Sequence, residues 1–124
     1  MAKSIMIVDD SATMRKIIMR TIRVADLGIG ETYEAGNGAE ALEKLKASAV
    51  DIMLCGINMP GMTGPELVRK VRELPACADT KIVIISTETA KDIVDDVLAS
   101  GANGYITKPF TPEKFKGKLA PLMN

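Results

Sequence analysis

Two kinds of hydrophobic pattern alternate along the chain. Short apolar runs come first: Ile5-Met6-Ile7-Val8 within Ser4–Asp9, Ile52-Met53-Leu54-Cys55 after Val50, and Ile82-Val83-Ile84-Ile85 within Lys81–Ser86. They lack polar alternation, so they predict strands covered on both faces. Weaker runs at Glu31–Ala35 and Gly104–Thr107 predict two more strands. Between them, apolar residues recur every three or four positions, which places them on one face of a helix. The stripes are Met14, Ile17, Ile18, Ile22 and Ala25; Ala41, Leu42, Leu45 and Ala49; Leu67, Val68, Val71 and Leu74; Ile93, Val94, Val97 and Leu98; and Phe115, Leu119 and Leu122.

The punctuation agrees with these elements. Asp10 or Ser11 is placed to cap the first helix, Leu27–Gly30 is a turn, and Gly36-Asn37-Gly38 turns tightly into the second helix. Pro65 opens the third helix, and Pro75–Thr80 is a loop. Thr89 has the place of an N-cap with Asp92 three residues on, and Gly101 stops that helix. Thr111 caps the last helix with Pro112 at its first position; Gly117 weakens it by roughly 1 kcal/mol relative to alanine, and Pro121 implies fraying at its end. Five strands alternating with five helices predict an α/β fold, a doubly wound parallel sheet with helices on both faces. Of the common strand orders, the flavodoxin-like 2-1-3-4-5 suits five strands. No linker or repeat divides the chain, so residues 1–124 are expected to form one domain.

Composition narrows the function. Sixteen basic and sixteen acidic side chains balance, and the aromatics are only Tyr33, Tyr105, Phe110 and Phe115. Neither bulk charge nor stacking surface suggests a nucleic-acid partner. No apolar run approaches the roughly 18 residues of a membrane span, and no signal peptide precedes the first strand; a cytoplasmic location is expected. Histidine is absent. That excludes a Ser-His-Asp or Cys-His mechanism and leaves only hard, oxygen-bound metals. Cys55 and Cys77 fit no paired motif and read as reduced structural thiols.

In a parallel sheet the residues just after each strand share one edge. Those residues are Asp9 and Asp10, then Gly56 and Asn58, then Ser86 and Thr87, and finally Lys108. Two carboxylates, hydroxyls and an ammonium around one crevice suit a divalent cation with a phosphoryl group.

Three blocks carry a resemblance over essentially the whole chain: Val8-Asp9-Asp10-Ser11-Ala12-Thr13-Met14-Arg15, Asn58-Met59-Pro60-Gly61-Met62-Thr63-Gly64 and Gly104-Tyr105-Ile106-Thr107-Lys108-Pro109-Phe110. In order and spacing they resemble the response-regulator receiver domains, and among these the stand-alone chemotaxis receivers. The resemblance implies that Asp9 and Asp10 hold magnesium, Asp10 directly and Asp9 mostly through water, with the Asn58 main-chain carbonyl as a third ligand. It implies that Ser86, beside Thr87, reaches toward the phosphoryl group, that Tyr105 turns inward with it, and that Lys108 pairs with phosphate through a loop whose Lys108–Pro109 bond is often cis. It also implies a histidine kinase or phosphotransfer domain as donor, a downstream protein on the face of the fourth helix, fifth strand and fifth helix, a monomer, and no enzymatic turnover.

One position departs. The family's phosphorylated aspartate stands two residues before the Asn58 position, where this chain has Gly56. Glycine has no nucleophile, so aspartyl-phosphate cannot form there. Magnesium loses an anionic ligand and is held more weakly, and Lys108 is expected to turn to Asp9 or Asp10. The chain is then either a naturally degenerate receiver or one whose acceptor was replaced. A rival reading is a magnesium-dependent phosphatase or phosphotransferase with Asp9 as nucleophile, although Asp9 and Asp10 are adjacent rather than spaced D-x-D. A second rival is a dinucleotide binder, because Gly36-Asn37-Gly38-Ala39-Glu40-Ala41 fits G-x-G-x-x-A. There the motif follows a weak strand, and Asp51 begins the next strand rather than ending it, so a plain glycine turn is expected.

Overall fold

Each unbroken apolar run becomes a strand of one parallel sheet. The computed structural model describes residues 3–87 and 90–123. Its elements are β1 (Lys3–Val8), α1 (Ala12–Ala25), β2 (Ile29–Ala35), α2 (Gly38–Ala47), β3 (Ile52–Cys55), α3 (Gly64–Arg72), β4 (Lys81–Ser86), α4 (Lys91–Ala99), β5 (Gly104–Thr107) and α5 (Pro112–Leu119), with short 3-10 turns at Pro75–Cys77 and Ala120–Met123. The strand order is β2-β1-β3-β4-β5 and every neighbouring pair is parallel. This is the predicted doubly wound topology.

Alternate residues of the strands feed two cores, one on each face. Met6, Val8, Met53, Cys55, Ile82 and Ile84 pack beneath α2, α3 and α4. Ile5, Ile7, Ile52, Leu54, Val83 and Ile85 pack beneath α1 and α5. Burial on both sides explains the missing polar alternation. Ser11, Asn37, Thr63 and Thr111 each accept a backbone N–H of the first helical turn through the side chain. Of Asp10 and Ser11, it is Ser11 that caps α1. The cap expected at Thr89 lies outside the described residues.

The differences from expectation occur where a stripe outruns its partner. Ile17 was expected inward, but it is 46% exposed on the margin of α1, while Ile18, Ile22 and Ala25 are buried. α2 ends at Ala47, so Ala49 is exposed and Val50 instead enters the core. β2 begins at Ile29 because Ile29 pairs with Lys3, which draws the expected turn residues into the sheet. On α4 only Val97 is fully buried, and Leu98 is 41% exposed.

Far from the crevice, Arg72 ties the end of α3 to the loop before β5. Its Nε donates to the Gly101 carbonyl at 3.0 Å, its Nη1 to the Thr80 carbonyl at 2.7 Å and its Nη2 to Asn103 Oδ1 at 2.7 Å. Asn103 Oδ1 also accepts the Ile82 N–H at 2.8 Å. Gly101 has φ +119°, and a Cβ there would come within 2.9 Å of Arg72 Cγ. Both backbone freedom and space therefore call for glycine.

Candidate functional site

The sheet's hydrogen bonding runs one residue past the strand ends, and this builds the lip of a crevice. Asp9 N–H donates to the Ala35 carbonyl at 3.1 Å, Gly56 N–H to the Val8 carbonyl at 3.2 Å and Lys108 N–H to the Ser86 carbonyl at 2.8 Å. Asp9, Gly56 and Lys108, which follow three different strands, are thereby held at the carboxyl edge beside Ser86, the last residue of β4. A crevice of about 260 Å³ opens there, lined by Asp9, Asp10, Gly56, Asn58, Ser86, Thr87 and Lys108. Ser11, Met14, Ile57 and Ile85 complete its wall.

The structure thus gathers the residues expected at the strand tips. Tyr105 lies elsewhere: it packs against the core under α2, α3 and α4 and lines a separate groove between β5 and α5. The Lys108–Pro109 bond is cis.

Asp9 is nearly buried, 8% exposed, and its Oδ1 accepts the Ser11 N–H at 2.9 Å. Arg15 donates from Nη1 to the Asp9 main-chain carbonyl at 2.6 Å, and its Nε pairs with Glu34 Oε1 at 2.9 Å. Sequence reading gave Arg15 no role; the only signal was its place one helical turn beyond the two acids. Asp10 is exposed. Lys108 does not turn to either acid as expected: among the described residues no ion pair within 4.0 Å joins them. Asp9 Oδ1 is taken by the Ser11 N–H, and Asp10 is exposed.

The donor set suits a hard divalent cation, with Asp9, Asp10 and Asn58 all lining the crevice. It is a short set, and no cluster of three or more acidic or thiol side chains is found among the described residues. Gly56 contributes no side-chain donor to the crevice. A Cβ built there would lie 3.6 Å from Asp9 Oδ2 and 4.0 Å from both the Ile85 carbonyl oxygen and Met59 Cγ, all ordinary contacts. Gly64 is the opposite case: a Cβ on it would overlap the Gly56 carbonyl and lie 2.9 Å from Ile57 Cα. Its N–H donates to the Ile57 carbonyl at 2.7 Å, so α3 begins pressed against the loop that carries Gly56.

Just below the crevice, burial pushes the Cys55 thiol up to about 12, with the Asp9 charge adding to the shift. Its Sγ donates to the Gly56 carbonyl at 3.2 Å. A thiol so protonated is a packing group and not a nucleophile.

The glycine turn before α2 is closed by the protein itself. Glu40 Oε1 accepts the Gly36 N–H at 3.0 Å, and Asn37 Oδ1 accepts the Glu40 N–H at 2.8 Å. A Cβ on Gly38 would sit 2.6 Å from Met62 Sδ. Gly38 is small to receive Met62, and a carboxylate holds the amide that a pyrophosphate would need.

Comparison with known proteins agrees with this fold. The family described as the response regulator receiver domain matches residues 5–120. The chain is 44% identical to chemotaxis protein CheY1 of Helicobacter pylori over 116 residues, covering 93% of this chain and 92% of that one. The solved structure of the chemotaxis response regulator CheY4 of Vibrio cholerae superposes with a TM-score of 0.88 at 34% identity, covering 98% of this chain and 99% of that one. The receiver domain of a Pseudomonas aeruginosa sensor histidine kinase, solved with a magnesium ion coordinated in its active-site cleft, shares the fold at TM-score 0.86 and 20% identity, over 99% of this chain and 98% of that one. Family match, identity over nearly full length and strand order converge on one conclusion: the chain belongs to the response-regulator receiver family and is a CheY-like receiver of two-component signalling.

Proposed function

We propose that this receiver works without aspartyl-phosphate, because Gly56 stands where the family's acceptor carboxylate would be. The observation that carries this reading is the seat at Gly56. It lies in the same crevice as Asp9, Asp10, Ser86 and Lys108 and has room for a side chain that is absent. Asp9, Asp10 and the Asn58 carbonyl would hold magnesium, weakly for want of a third carboxylate. When bound, the cation neutralises charge on an incoming phosphoryl group. Ser86, Thr87 and Lys108 would face that group's oxygens, and Tyr105 would report the change to the surface.

A histidine kinase or phosphotransfer domain is the proposed upstream partner. A downstream protein is proposed on the face formed by α4, β5 and α5. Support for that face comes from exposed Leu98, half-buried Ile93 and Val94, and the groove beside Tyr105 and Lys118. With no acceptor, the protein stays in its unphosphorylated population. The same reading carries a cytoplasmic, monomeric protein with no catalytic turnover.

The test is incubation with magnesium and acetyl phosphate or a phospho-histidine donor, followed by intact and peptide mass analysis. No acid-stable, base-labile adduct is expected on the chain, and Gly56→Asp is expected to gain one at residue 56. A stoichiometric adduct on Asp9 or Asp10 of the unaltered chain refutes the proposal.

A further inference from the structure

We infer that Arg15 is a positioning residue of the crevice: through the Asp9 main-chain carbonyl it sets the peptide that joins Asp9 to Asp10, and with it the placement of one carboxylate relative to the other. That the two carboxylates serve a divalent cation rests on the receiver reading of the crevice.

β1 and β2 end side by side, at Val8 and Ala35. Asp9 N–H still reaches the Ala35 carbonyl at 3.1 Å, but beyond Ala35 the chain turns through Gly36 and Asn37 into α2. The Asp9 carbonyl instead accepts Arg15 Nη1 at 2.6 Å, so an arginine six residues on supplies a donor at the point where the sheet stops. The guanidinium is itself held. Its Nε donates to Glu34 Oε1 at 2.9 Å, and it lies against Gly36, where a Cβ would be 3.6 Å from Nη1. The Arg15 side chain is 18% exposed, so both bonds are largely shielded from water. Arginine suits the place because its donors diverge in a fixed plane and it never loses its proton.

The acidic turn is thus tied at three points. Asp9 N–H is bound to β2, the Asp9 carbonyl to Arg15, and Asp9 Oδ1 to the Ser11 N–H at 2.9 Å. Loss of the middle tie frees the Asp9–Asp10 peptide to rotate, which moves Asp10 relative to Asp9. Charge alone predicts the opposite result for a bound cation. Arg15 is a positive group beside Asp9, and removing it favours a second positive charge nearby. The sign of the change therefore separates positioning from simple electrostatics. Arg20, exposed on the same helix and in no ion pair among the described residues, is the control for charge without the contact.

The experiment compares the unaltered chain, Arg15→Met and Arg20→Met by amide NMR, first by hydrogen exchange without cation and then through a titration with magnesium chloride. In Arg15→Met the Ser11 N–H is expected to exchange about tenfold faster relative to Ile22 of the same helix. Magnesium is expected to bind it about tenfold more weakly, the scale on which groups supporting a ligating carboxylate act. Arg20→Met is expected to leave Ser11 exchange unchanged and magnesium affinity equal or higher. Unchanged Ser11 exchange in Arg15→Met overturns the inference, and so does equal or tighter magnesium binding. Faster exchange shared equally by Ser11, Ile18 and Ile22 also overturns it, since that marks a general loss of helix stability. The receiver reading is tested apart. If neither the unaltered chain nor Gly56→Asp binds magnesium, that reading fails, and Ser11 exchange alone decides whether Arg15 sets the turn.

Discussion

α3 and α4 carry almost the same apolar spacing and meet different fates. On α3, Leu67, Val68 and Val71 are all fully buried. On α4 only Val97 is, while Ile93 and Val94 are half-buried and Leu98 is 41% exposed. The difference lies in their neighbours. α3 packs between α2 and α4 over the middle of the sheet, whereas α4 packs against α3 near the β5 edge, with no helix of this face beyond it. Periodicity reports that a helix has an apolar side; it does not report how many neighbours will cover that side. An incompletely covered stripe is surface that a partner protein can use.

The contrast can be broken most strongly from the α3 side. Leu67→Ala is expected to cost about 3 kcal/mol of stability through a buried cavity, read as a lowered urea midpoint with unchanged slope. Next comes the clamp that joins the two helices. Arg72→Met leaves the Gly101 and Thr80 carbonyls and Asn103 without their shared donor. A loss of about 2 kcal/mol is expected, with faster hydrogen exchange of the Ile82 and Asn103 amides.

Alkaline pH should also act on the α3 side, through Cys55. Cys55 lies in that core, and its folded pKa is raised from 9.0 to about 12. The fold therefore favours the neutral thiol. The contribution is complete below pH 9 and is lost as pH rises toward 12, by about 1.4 kcal/mol per unit. Urea midpoints of the unaltered chain should fall more steeply with pH in that window than those of Cys55→Ala; parallel slopes would refute the assignment. The smallest effect belongs to α4: Leu98→Ala should change stability by less than about 0.5 kcal/mol. A large loss there would mean that the α4 stripe is covered after all.

The strands were legible because burial on both faces writes them as unbroken apolar runs, and the strand tips then placed Asp9, Gly56, Ser86 and Lys108 in one crevice without further information. The misses share a cause. Ile17, Ala49 and Leu98 continue a helical rhythm beyond the surface that receives it, and local spacing carries no record of where that surface ends. Arg72 and Arg15 were invisible for a related reason. Each turns its guanidinium onto main-chain carbonyls, of Thr80 and Gly101 for one and of Asp9 for the other, and a carbonyl leaves no mark on residue identity.

Gly56 and Gly64 sit back to back, and only one of them is replaceable. A side chain at 64 collides with the peptide of residue 56, while a side chain at 56 meets nothing closer than an ordinary contact. Packing therefore leaves room for the Cβ of a side chain at 56. The glycine codons GGT and GGC differ from those of aspartate by a single base, so from either of them one nucleotide change would place a carboxylate in the crevice. Space at the Cβ selects glycine at 64 and does not by itself select it at 56.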